Sequence, residues 1–152
     1  LDFTSQISST YKIYFLNIVD HSGAGTSVGN YEIIFSTNGG TSWITTSYSS
    51  VTSYIDVTRT SWTNFGSSSA CDFSSSTGVG ALNGDGICQA WLFNLNSTNH
   101  PSVIGYGSAF TDTITDLMIG GAQNTTTTAV NAIRVVVFSG SEASATLYGI
   151  ET

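Results

Sequence analysis

The amino-acid sequence predicts an all-β fold: an antiparallel β-sandwich, jelly-roll-like, with about nine or ten strands in a single domain over residues 1–152. Three observations carry the prediction. No segment repeats apolar residues every three to four positions, and the long charged residues that favour helices are nearly absent. In their place stand 24 Ser, 22 Thr and 16 Gly. Short runs of β-branched and aromatic residues recur along the chain, separated by Gly, Asn and Ser turn signals. At 40% apolar the composition is not that of a disordered chain, and its length suffices to bury a core without staples.

Residues 1–7 form a candidate edge strand, and 11–19 a far stronger one with apolar side chains on both faces. After a glycine-containing connection over 20–30, residues 31–37 alternate, with Tyr31, Ile33 and Phe35 inward and Glu32 and Ser36 outward. Asn38-Gly39-Gly40 supplies residues that tolerate positive φ, so 42–47 is expected to return as the partner strand of a hairpin. Residues 53–58 alternate as a strand. The Ser/Gly-rich stretch 60–86 reads as one long loop. Residues 87–95 form the next strong strand, and Pro101 belongs to the turn that follows.

Within the strand over 103–110, Gly105 and Gly107 mark a bend or a close backbone contact. Residues 113–119 follow, then a polar loop over 120–128. The chain closes with apolar runs over 131–138 and 145–150 around a small polar turn, the pattern of a hairpin. Both sides of 131–138 are apolar, which places that strand mid-sheet; Arg134 within it needs an acidic partner or an exit to solvent. An immunoglobulin-type sandwich is the alternative, but Trp91 follows both cysteines and the Cys…Trp…Cys layout is lacking.

Two stretches carry resemblances. Ser36-Thr-Asn-Gly-Gly-Thr-Ser-Trp43 resembles the Asp-box of sialidase-type propellers, with Asn38 for the Asp and Ser42 for the Thr. It occurs once, which excludes a propeller and leaves a tight turn with Trp43 packed over it. At the other end, Asn131-Ala-Ile-Arg134, a hydrophobic strand ending in Phe138-Ser139, a Ser/Gly turn and Leu147-Tyr-Gly-Ile150 resemble the closing hairpin of a module of tailed-bacteriophage virion proteins. The Ser-Thr-x-Gly-Gly-x-x-Trp turn recurs in that module. The family turn is longer and carries an Asn-Ile pair where this chain has Ser139-Gly-Ser-Glu-Ala-Ser144, so a module type is implied and not a place in the virion.

The resemblance implies a non-enzymatic structural protein of the tail fibre, a baseplate appendage or the capsid surface. It would be extracellular on the particle, with other virion proteins and host-surface glycans as candidate partners. Self-association is expected from the residues themselves, because 11–19 and 131–138 present apolar side chains on both faces of a two-layer fold. Three-fold symmetry, a homotrimer, is what the resemblance adds. A carbohydrate-binding module is the competing reading.

Composition excludes other classes. Three Lys/Arg against ten Asp/Glu give a formal charge of −7, too few cations for a nucleic-acid face and unfavourable on anionic membranes. No run approaches 18 apolar residues, so no membrane insertion is expected. A start at Leu1 leaves open a removed leader or a longer parent chain.

Candidate chemistry is sparse. His21 and His100 lie far apart in predicted loops with no acid cluster, which gives zinc no ligand set. No nucleophile elbow accompanies the many serines. Asp56, Asp72, Asp85, Asp112 and Asp116 could supply a carboxylate pair for glycoside cleavage, but no catalysis is expected. Asn83-Gly-Asp-Gly86 lacks the further acids of a calcium loop and reads as a glycine turn, and no cofactor motif is present. Asn96-Ser-Thr and Asn124-Thr-Thr are formal glycosylation triplets that so hydroxyl-rich a chain produces by chance. Trp43, Tyr48, Tyr54 and Trp62, exposed together, would make a sugar-stacking platform; the alternative places two or three of them in the core. Cys71 and Cys88 are either bridged, which would contribute about 3 kcal/mol, or two buried thiols.

Overall fold

The computed structural model describes residues 1–20, 31–56, 63–73, 86–110, 115–137 and 142–151. Its strands are β1 (Asp2–Phe3), β2 (Ile13–Asp20), β3 (Glu32–Ser36), β4 (Tyr48–Asp56), β5 (Thr63–Ser67), β6 (Cys71–Asp72), β7 (Gly86–Phe93), β8 (Ser102–Phe110), β9 (Thr115–Asn124), β10 (Ala132–Val136) and β11 (Ala143–Ile150). No helix is present among the described residues. The strands form two antiparallel sheets that pack together, a β-sandwich: β1-β10-β3-β6 and β11-β2-β7-β8-β9-β4-β5.

The pairing is nested. β4 pairs β5, β3 pairs β6, β2 pairs β7 and β1 pairs β10, and successive pairs fall in alternate sheets. One long hairpin with its tip at β4–β5, wrapped across two layers, produces this order. β8 and β9 enter the large sheet between β7 and β4, and β11 adds a strand outside β2.

Alternation along each strand supplies the core. From the large sheet come Tyr14, Leu16 and Ile18 of β2 and Cys88, Ala90 and Leu92 of β7; from the small sheet come Ile33, Phe35, Ile133 and Val135, all buried. Phe73, immediately after β6, plugs the middle. Gly105 and Gly120 face each other across β8 and β9, and a Cβ on either would meet the Phe73 ring at 3.0 or 3.3 Å. The close contact expected at Gly105 is therefore this ring seated on bare backbone.

Four expectations need correction. Residues 131–138 and 145–150 do not form a hairpin: β10 lies between β1 and β3 in the small sheet, whereas β11 pairs with β2 in the large one. Residues 42–47 are not a strand. Ser36 Oγ accepts the Gly40 N–H at 3.0 Å, Asn38 Oδ1 accepts that of Ser42 at 2.9 Å, and Asn38 Nδ2 donates to Ser42 Oγ at 2.8 Å. These side chains satisfy the turn locally, and the chain then crosses to β4 in the other sheet after one bond from Ile44 N to Phe35 O. Gly39 and Gly40 do take positive φ, and Trp43 lies beside Gly40 as expected. The stretch read as a single loop over 60–86 contains β5 and β6, which raises the strand count to eleven among the described residues. The polar stretch 120–128 begins as strand, because β9 runs on to Asn124.

Candidate functional site

The outer face of the large sheet is the most distinctive surface of the molecule. Side chains that alternate with the core positions align in rows across the strands. One row runs Tyr148, Phe15, Trp91, Ile104, Gly121, Val51. A second runs Thr146, Asn17, Gln89, Tyr106, Ile119, Ser53, and a third Ser144, Val19, Ile87, Ser108, Leu117, Ile55. None of these positions carries a charge. Val51 is 58% exposed, Tyr148 53%, Ile104 and Ile119 52% each, with Leu117, Tyr106, Trp91 and Ile87 also open to solvent. At about 200 Å² per large side chain, eight such groups left roughly half exposed present on the order of 800 Å². That exceeds the largest apolar patch of a typical monomer, roughly 300–600 Å², and equals about one partner's share of a standard protein interface.

Two cross-strand ladders stiffen the face. Phe15 stands between Trp91, with ring centroids 4.9 Å apart, and Tyr148, at 6.2 Å. In the neighbouring row Gln89 Nε2 donates to Asn17 Oδ1 at 2.8 Å, and the Tyr106 hydroxyl donates to Gln89 Oε1. The polar groups at the centre of the face thus satisfy one another, which lowers the cost of taking them out of water.

The outer face of the small sheet is different. Arg134 stands opposite Asp2 in the β1–β10 register and donates to it twice, Nε to Oδ1 at 2.6 Å and Nη2 to Oδ2 at 2.7 Å. Trp43 covers the guanidinium, 4.4 Å from its ring centroid. The cation that needed a partner has both an acid and an aromatic ring. The guanidinium holds the Asp2 carboxyl below its usual range, and Asp2 raises Arg134 in turn. Beside them Ile34 is only 9% exposed. Among the described residues of 131–137, the second side is thus largely occupied by this chain's own residues.

The predicted sugar platform is not assembled. Tyr48 and Tyr54 lie six residues apart on β4, an even spacing that turns both inward, and both are buried. Tyr48 Oη accepts the Phe35 N–H at 2.9 Å across the sandwich, and burial pushes its pKa up. Trp43 sits on the opposite sheet's outer face, and Trp62 lies outside the described residues. Cys71 and Cys88 are free, correcting the bridge: they enter one core cluster from opposite sheets and pack as small apolar groups. Burial raises both thiol pKa values, that of Cys88 to about 12.

Of the other named residues, His21, Asp85, Asp112, Asn83 and Gly84 lie outside the described residues. His100 is exposed, with Nδ1 3.3 Å from the Thr126 carbonyl. Asp72 is buried on β6, and the β4–β9 register sets Asp56 opposite Asp116. Among the described residues no group of three or more potential metal ligands occurs, and no helix is long and apolar enough to cross a membrane. Asn124 is fully buried, donating to the Thr46 carbonyl at 3.0 Å and accepting the Thr126 N–H at 2.9 Å, so its triplet offers no free amide.

No family model matches the chain, and no curated protein or solved structure matches it either. The site rests on geometry. Sequence reasoning found the β2 part of the exposed face but missed β7 to β9, although Ile87 and Trp91 alternating with Cys88, Ala90 and Leu92 carry the same two-sided signal.

Proposed function

We propose that this chain is a non-enzymatic structural module of a bacteriophage virion, from a tail fibre, a baseplate appendage or the capsid surface, and that it works by self-association. The observation that carries the reading is the charge-free outer face of the large sheet, with eight large apolar side chains open to solvent. A chain of formal charge −7 that keeps one whole sheet face uncharged has the composition of an interface core there. A second copy suits it better than a charged partner, because the amide and hydroxyl groups in the face carry both donors and acceptors and nothing in it selects a sign of charge.

The nested pairing supports a jelly roll, an architecture frequent in viral capsid proteins and lectins. The virion assignment itself comes from the sequence resemblance at residues 131–150, although the two runs lie in different sheets and not in one hairpin, and so does three-fold symmetry. An antibody against the purified chain tests the assignment. It should decorate intact tailed particles at a regular position under the electron microscope; particles carrying none of the chain would contradict it.

A further inference from the structure

We propose that a cleft at one end of the sandwich binds a hexose-sized sugar bearing a carboxylate. The cleft lies between the segment leading into β2 and the loop leaving β7, and has a volume of about 350 Å³. That is the lower end of the range for ligand sites, with room for about one or two sugar rings. Tyr11 forms one wall, and Leu95, which also borders the cleft, is only 1% exposed. Tyr11 is held in place: its ring meets Tyr14 edge-on at 5.9 Å and 79°, and lies against Gly149, where a Cβ would collide with it. A fixed aromatic wall suits the C–H face of a sugar ring.

The loop opposite is braced by its own bonds. Asn94 takes a positive φ of 59°, Ser97 Oγ donates to the Asn94 carbonyl at 3.0 Å, and Asn99 N donates to Ser97 Oγ at 3.1 Å. These bonds leave the side chains of Asn96 and Asn99, and of Ser9 across the cleft, with no hydrogen-bond partner among the described residues. Amides and hydroxyls offer donors and acceptors together, as sugar hydroxyls require.

Lys12 gives the charge preference. Arg134 is paired with Asp2, so Lys12 is the one Lys or Arg side chain among the described residues without a carboxylate partner. Glu151 neighbours it beyond the Ile150–Ile13 pair but forms no ion pair with it. Repulsion from the rest of the acidic chain is screened beyond about 8 Å at physiological salt, so direct contact with the ammonium decides the preference. No residue of the apolar outer face lines the cleft, so this site and the self-association stand or fall separately.

The test is a titration of the full chain with methyl glucuronide and, in parallel, methyl glucoside, following the backbone amide resonances of residues 94–99. Both sugars should shift them saturably, the glucuronide binding about tenfold more tightly. Lys12→Gln should bring the glucuronide down to the level of the glucoside, and Asn96→Ala with Asn99→Ala should weaken both. These side chains are exposed, so the variants keep the fold. No saturable shift, equal affinity for the two sugars, or glucuronide binding unchanged in Lys12→Gln would each overturn the proposal.

Discussion

Phe15 and Trp91 stand opposite each other on β2 and β7, ring centroids 4.9 Å apart, on a sheet face where four adjacent strands present no charged side chain in the rows that include them. The pair is at the surface, and Trp91 remains 40% exposed. Side chains of this size stacked across strands add rigidity to a face that water contacts unfavourably.

The face should be breakable without breaking the fold. Ile104→Lys and Ile119→Lys place charges on side chains already half exposed, so thermal unfolding of the isolated chain should change by no more than about 0.5 kcal/mol each. Any oligomer should be lost, because an unpaired ammonium buried in an interface costs several kcal/mol. A variant that assembles like the parent would place the contact elsewhere.

Phe73 should behave as a keystone. Phe73→Ala removes a ring packed over Gly105 and Gly120 and should cost about 3–5 kcal/mol in denaturant unfolding. Gly120→Ala attacks the same contact from the other side: its Cβ would lie 2.6 Å from Thr52 Oγ1. It should destabilise by about 1–3 kcal/mol.

The Asp2–Arg134 pair should contribute little and do so in a defined pH window. Both side chains are more than a third exposed, so solvent screening limits Asp2→Asn to a loss of about 1 kcal/mol or less at neutral pH. The carboxyl is held below its ordinary value of 3.8 in the folded chain, so the contribution is complete above that value and is lost as pH falls through the lower folded one. Parent and variant stabilities should converge in acid. A difference that widens there would contradict the pairing.

The cysteines should be silent until unfolding. With both thiols buried and the Cys88 pKa pushed to about 12, a thiol reagent at pH 8 should titrate none in the native chain and two in denaturant. Two unreactive sulfurs in denaturant without reductant would restore the bridge.

Periodicity made the fold class legible, because Tyr31, Ile33 and Phe35 recur at every second position, the spacing of a strand and not of a helix. Connectivity was not legible. Residues 131–138 and 145–150 look like a hairpin locally, and only the long pairing of β11 along β2 separates them into two sheets. Strands such as β6, two residues long, leave no periodic trace, so Cys71 and Phe73 could not be placed. The platform failed for a simpler reason: proximity in sequence suggested proximity at the surface, whereas Tyr48 and Tyr54 share a parity that points into the core. The exposed face could have been read more fully, since its signal is apolar character at both parities of 87–93, the same feature that marked 11–19.

Sedimentation velocity of the unmodified chain, from nanomolar to high micromolar concentration, tests the self-association. Self-association through the large sheet predicts a species at a multiple of the 16.0 kDa chain mass that dissociates on dilution, with three copies the stoichiometry the virion resemblance implies. A single 16.0 kDa species across the whole range would contradict it.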